Sequence, residues 1–458
     1  MMTMTDDGLP VPRRYWAMLT VFIAIIMAVL DSAIANVALP TIAHDVGAAP
    51  ANAIWVVNAY QLAVTISLLP LASAGEIVGY ERIYKVGLSL FVVASLCCAL
   101  STNLLTLTAA RVLQGFGAAG IMSVNAALVR FIYPHRMLGR ALGYNAMVVA
   151  VASAIGPSVA AGILSVASWP WLFAVNVPLG VVALVIAWPS LPRTARSSRS
   201  FDWRSAVLSA LTFGLLIVGV SSVGHAGDRA WAVTALVGSV GAGGALVARE
   251  WRRRSPLLPI DLLRIPVFRL SVCTSIGAFC AQMMAFVAIP FWLQDVLGRS
   301  EVATGLLITP WPLALVVAAP LSGRLVERYP AGLLGGVGLA ALSAGLLLIA
   351  LLPAHPTDLA IVWRLALCGF GFGLFQTPNN RAMVGSAPRE RSGGASGMLS
   401  TARLLGQTLG ASLVAVCFGL SLTRGSTVAL LAAAGFAAVA CGVSFLRLLP
   451  RTAARPAA

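Results

Sequence analysis

Apolar residues run along this chain in long blocks, broken by short polar connections. A bilayer core of about 30 Å is crossed by a helix of roughly 20 apolar residues, and fourteen blocks of that length can be read off. Six begin near Tyr15, Ala53, Ile83, Asn103, Gly139 and Trp169, two near Ser205 and Ala230, and six near Phe268, Ala303, Gly332, Leu359, Gly393 and Thr427. The first block follows Arg13 and Arg14 as a signal peptide's apolar core would. It is too long for one, lacks a clear cleavage site and contains Asp31, so it reads as a retained spanning helix.

The connections carry a second pattern. With the N-terminus inside, outer loops hold Arg229, Arg299 and Arg424, while Arg111, Arg364 and Arg403 lie within helices; of the 31 basic residues this leaves 25 in inner segments. Such asymmetry places both termini in the cytoplasm of a bacterial-type inner membrane. The longer inner segments, 192–204 and 249–266, the latter with Arg252, Arg253 and Arg254, bracket a middle helix pair. The expected layout is therefore all-α and polytopic. Residues 1–190 form a six-helix bundle, 191–267 the linkers with helices 7 and 8, and 268–458 a second six-helix bundle. Weak internal repetition supports it: Gly75-Glu76-Ile77-Val78-Gly79 follows the second helix of one half, and Gly323-Arg324-Leu325-Val326-Glu327-Arg328 that of the other.

Composition agrees. The 458 residues are 59% hydrophobic and 10% charged, against about 25% charged in soluble proteins, and a soluble core stops growing beyond about 250–300 residues. The net charge of +16 would suggest nucleic acid in a soluble chain, but here it is spread over the inner loops. No nucleic-acid partner is expected. The seven cysteines lie in apolar stretches with no spacing for zinc or a disulfide, and the four histidines fall in expected loops. Neither a metal nor a cofactor is expected. Without a nucleophile–base constellation, phosphate loop or paired carboxylates at membrane depth, the chain does not read as an enzyme; a partner ATPase stays open.

Of fifteen acids, Asp31 alone lies deep in an apolar stretch. A charge there costs about 2.5–3.5 kcal/mol on insertion scales and marks a functional candidate; the alternative is an ion pair that only orients two helices. On helix 4, Arg111, Gln114, Ala118, Met122 and Asn125 recur at helical spacing. Arg111 and Asp31 both fall about 10–13 Å below the outer surface at 1.5 Å per residue. Burial favours a neutral carboxyl and a nearby Arg a charged one, so a carboxylate whose surroundings alternate can load and release a proton. Asn58, Gln61 and Thr65 make a polar stripe on helix 2 suited to a cavity wall. Gly156-Pro157 in helix 5, and Pro310 and Pro312 in helix 10, favour bends. The glycine strings around Gly115 and Gly371 suit close helix packing.

These strings resemble a known family. LDSAIANVALPTI (30–42), RVLQGFGAA (111–119), AIGPSVAAG (154–162), WPWLFAVNVPLG (169–180) and the stretch 369–410 are similar to those of the fourteen-helix drug:proton antiporters of the major facilitator superfamily. The resemblance implies two six-helix bundles enclosing a cavity, proton coupling through Asp31 and Arg111, and a helix-5 antiporter motif at Gly156 and Pro157. It also implies a cytoplasmic gate at Glu76, Gly79 and Arg82, echoed by Glu327 and Arg328, with Gln114, Asn125, Asn58 and Gln61 facing the cavity. The loop usually reads Gly-Asp-Arg-x-Gly-Arg-Arg; here basic positions are lost, which implies a weaker gate or one using Arg82 and Lys85. The expected partners are an amphipathic small molecule, protons and the bilayer, and the expected state is a monomer. The runner-up is export of an endogenous metabolite or siderophore, and a membrane-embedded enzyme is the different-class alternative.

Overall fold

The computed structural model describes residues 8–134, 137–194, 201–223, 229–251, 260–353, 355–388, 392–420 and 424–448. His135, His225, most of the Arg/Ser-rich segment and the triple-arginine run lie outside them. The first six helices are α1 (Arg13–Asp45), α2 (Pro50–Val78), α3 (Tyr80–Ala99), α4 (Leu104–Ile132), α5 (Leu138–Leu164) and α6 (Pro170–Ser190). The middle pair is α7 (Trp203–Ser222) and α8 (Arg229–Glu250). The last six are α9 (Pro266–Val296), α10 (Glu301–Leu325), α11 (Ala331–Ala350), α12 (Asp358–Gly385), α13 (Ser392–Leu420) and α14 (Gly425–Phe445). Thirteen contain stretches long and apolar enough to cross a membrane. In α5 the segments Met147–Ser153 and Ile155–Leu164 meet at 42° and make the fourteenth span if counted as one. That bend falls where Pro157 cannot donate to the carbonyl four residues earlier.

Polar side chains set several helix starts. Asn103 caps α4 by accepting from the Thr106 amide at 2.9 Å, and Ser300 and Thr357 do the same for α10 and α12. One histidine departs from its expected loop: the apolar run continues past Pro40, so His44 sits in the last turn of α1.

The two six-helix sets repeat one packing scheme. Helix α4 lies between α2 and α3, and α1 packs on α5 and α6; α12 lies between α10 and α11, and α9 packs on α13 and α14. Small residues set the closest crossings. A Cβ on Gly117 would fall 2.5 Å from the Phe91 amide nitrogen on α3, and one on Gly371 the same distance from the Gly338 carbonyl on α11. With no hydrophobic drive between helices in lipid, such close backbone approach supplies the contact. The inserted pair sits to one side, with α7 against α2 and α13.

The halves meet unevenly. At the end away from the N-terminus, Leu39, Ile54, Leu107 and Phe173 of one half share an apolar cluster with Met284, Phe291, Ile308 and Trp311 of the other. Hydrogen bonds cross there too, from Gln294 Nε2 to the Val37 carbonyl at 3.2 Å, from Thr41 Oγ1 to Glu301 Oε1 at 2.8 Å, and between Ser158 and Thr309 at 2.8 Å. Toward the N-terminal end the clusters separate by half, apart from Leu404 of α13, which joins the first half's cluster.

Candidate functional site

Asp31 lies in the middle of α1, only 1% exposed, and Arg111 of α4 is equally buried. Arg111 Nη1 donates to Asp31 Oδ2 in a direct ion pair. Two further donors reach Asp31 Oδ1: Gln114 Nε2 at 2.7 Å and Asn176 Nδ2 of α6 at 3.0 Å. The guanidinium is itself held, with Nε on the Val56 carbonyl of α2 at 2.9 Å and Nη1 on Gln114 Oε1 at 2.6 Å. Its flat face lies 4.2 Å from the centre of the Tyr60 ring, and Gln114 Nε2 also donates to Ser95 Oγ of α3 at 2.9 Å. Three helices thus meet at the carboxylate, and α2 and α3 join through Arg111 and Gln114. A buried pair survives only when its remaining donors and acceptors are satisfied, which is the arrangement here.

Helix register explains the convergence. Arg111 and Gln114 are three residues apart and share a face of α4. Gly156 then lets α5 close on α1 two residues beyond Asp31, since a Cβ there would sit 2.6 Å from Ala33 Cβ. The carbonyl of Pro157 lies against Gly305 of α10, so the same motif touches the opposite half.

The other sequence candidates lie apart from this cluster. Asn58 is fully buried with both amide atoms unpaired among the described residues, as are Asn36 Oδ1 and Trp311 Nε1. Gln61 is buried one turn before Thr65, whose hydroxyl meets Thr408 of α13 at 3.0 Å. The helix-4 stripe does not stay uniform: Met122 is 37% exposed, and Asn125 is half-buried with Oδ1 unpaired.

The expected gate loop is not a loop. Glu76 and Val78 are still in α2, Tyr80 already opens α3, and Gly79 alone joins them at φ 112°, a conformation that side-chain-bearing residues rarely adopt. Glu76 and Arg82 are exposed, as are Glu327 and Arg328 in the equivalent turn. The buried acid is Glu81, whose Oε2 accepts from the Thr194 amide at 3.1 Å and its hydroxyl at 2.6 Å. Lys85 turns away to the Trp188 carbonyl at 3.3 Å. Sequence reading also passed over Asn176, Ser95 and Tyr60; Asn176 had a signal, as the one amide in an otherwise apolar motif.

Among the described residues, twelve helices in two repeated bundles with a further pair beside them, and an ion pair buried between α1 and α4, make the architecture of a multi-pass membrane transporter. Residues 21–411 match the Major Facilitator Superfamily, and the chain belongs to that family. It is 58% identical to the uncharacterized transporter YebQ of Escherichia coli (strain K12) over 98% of this chain and 99% of that one. It is 29% identical to the riboflavin transporter RibZ of Clostridioides difficile (strain 630), covering 90% of each. It is 30% identical to the multidrug resistance protein Stp of Mycobacterium tuberculosis (strain CDC 1551 / Oshkosh), covering 85% of this chain and 73% of that one. A bacterial homologue of the human lysosomal transporter Spinster, solved in an inward-facing, unoccupied conformation, shares the fold at a TM-score of 0.69. It is 15% identical, with 96% of this chain and 97% of that one covered.

Proposed function

We infer that the protein is a proton-coupled antiporter that exports amphipathic compounds across the inner membrane by alternating access. The observation that carries this reading is Asp31. A carboxylate deep in a spanning helix, held by three side-chain donors from two other helices, changes its surroundings whenever those helices shift. With the N-terminus cytoplasmic, the shared cluster would close the outer side, and an inward-facing cavity would lie between the separated clusters. Rocking one bundle against the other would break the Gln294–Val37 and Ser158–Thr309 contacts and open the outer side. The unpaired amide of Asn58 and indole of Trp311 are costly in a single static state, and a second state or a bound substrate would give them partners.

Among the relatives, the multidrug resistance protein supports a drug-like substrate and the riboflavin transporter a metabolite; the helix-1 and helix-5 motifs favour the first. A screen in inside-out vesicles tests the reading. Dyes, biocides and antibiotics should accumulate only when an imposed gradient makes the lumen acidic. Accumulation that ignores the gradient, or coupling in the opposite direction, contradicts it.

A further inference from the structure

Many arginines lie within or beside the spanning helices, and three that are at least half-buried have acceptors. Arg111 has Asp31; Arg364 Nη1 bonds the Ala360 carbonyl at 2.7 Å; Arg447 donates to Ser271, Asn379 and Ser444 at 2.6–3.1 Å. Arg403 differs. It is the twelfth residue of α13, about 17 Å along that helix at 1.5 Å per residue, and five residues short of the Thr65–Thr408 contact between the halves. Its guanidinium donates no hydrogen bond among the described residues, and the residue is half-buried. Among the described residues it makes no ion pair.

Its direction follows from its neighbours. On α13, Thr408 and Leu404 face the first half, and Gly406 and Gly410 lie against α9. Arg403 points between those directions, toward Phe279 of α9, with its guanidinium 5.7 Å from the ring centre. Phe279 in turn meets Phe372 of α12 edge-on at 5.3 Å. Helix α13 also packs on α12 and on α7 of the inserted pair. The cation thus lies on the side of α13 between its contacts with α9 and with the first half, beside two aromatic rings.

We propose that Arg403 is an anion-binding residue of the central cavity and that the transported compound carries a carboxylate or phosphate on an aromatic or apolar body. The proposal rests on the exporter reading and names its substrate class. An unpaired charge at membrane depth marks a binding site, and a guanidinium offers a fork matched to carboxylate and phosphate. The deep carboxylate Asp31 is fully occupied, so it leaves no free anion for a cationic compound. Exchange of one proton inward for one monoanion outward also moves charge in a single electrical sense, so the membrane potential adds to the driving force.

The test is equilibrium binding to the detergent-purified full chain without a pH gradient, so it can fail independently of proton coupling. The probes are fluorescent pyrenebutyric acid, its methyl ester and pyrenebutylamine. Wild type should bind the acid at least tenfold more tightly than the ester. Arg403→Gln should abolish that preference, and Arg403→Lys should keep part of it, all with unchanged thermal midpoints. Equal affinity for acid and ester, preference for the amine, no binding of the acid, or an unaltered preference in Arg403→Gln would each overturn the proposal.

Discussion

Removing the charge of Arg111 alone should destabilise the protein more than removing both charges of the buried pair. In Arg111→Gln the Asp31 carboxylate stays 1% exposed and keeps only Gln114 at 2.7 Å and Asn176 at 3.0 Å. An uncompensated buried charge of this kind costs about 3–5 kcal/mol. Asp31→Asn should cost less, about 2–3 kcal/mol, because the guanidinium keeps the Val56 carbonyl at 2.9 Å and the Tyr60 face at 4.2 Å. The double variant leaves two neutral amides that can bond each other, and should lie within about 2 kcal/mol of wild type. The coupling is then at least about 3 kcal/mol, at the upper limit of the range for contacting residues. Unfolding in detergent followed by circular dichroism measures all four proteins. If the two single effects simply add in the double variant, Arg111 is held by Val56 and Tyr60 rather than by Asp31, and the reasoning fails.

Glu81→Gln should speed hydrogen exchange at the Thr194 amide, which loses an anionic acceptor at 3.1 Å, whereas Glu76→Gln should leave it unchanged; equal effects would show that Glu81 is not what holds Thr194. Gly156→Ala should lower efflux several-fold at normal membrane level, because its Cβ would lie 2.6 Å from Ala33 Cβ and overpacking of that kind costs about 1–3 kcal/mol. Efflux at wild-type rate would show that α5 yields freely. A cysteine at Ser300 in a cysteine-free background should react with an impermeant thiol reagent from outside, and one at Glu327 only from inside; the reverse would invert the topology.

Much of the fold was legible because lipid forces a simple code. Every spanning segment must be a helix of about 20 apolar residues, so block counting finds α1 to α14 and the repeat between halves. The Asp31–Arg111 contact was legible by depth, since rise per residue converts sequence position into height. Helix rotation was not. Asn176 and Ser95 reach the cluster through the facing of α6 and α3 about their axes, which a uniformly apolar helix does not encode. The expected loop between α2 and α3 was misjudged for a related reason: a Gly-containing polar string reads as a loop, but one positive-φ glycine suffices to turn the chain. Both helices then run to its edge, which buries Glu81 and exposes Glu76 and Arg82.

Proton coupling at Asp31 is the centre of the account, and proton release on substrate binding tests it most directly. A compound that accumulates in the vesicle screen is added to detergent-purified protein in weakly buffered solution near neutral pH, and the change in pH is followed with an indicator dye. Wild type should release protons as the compound binds, and Asp31→Asn, folded and still binding the compound, should release none. Equal release from both proteins would contradict the account and leave Asp31 as an ion-pair partner that only orients α1 and α4.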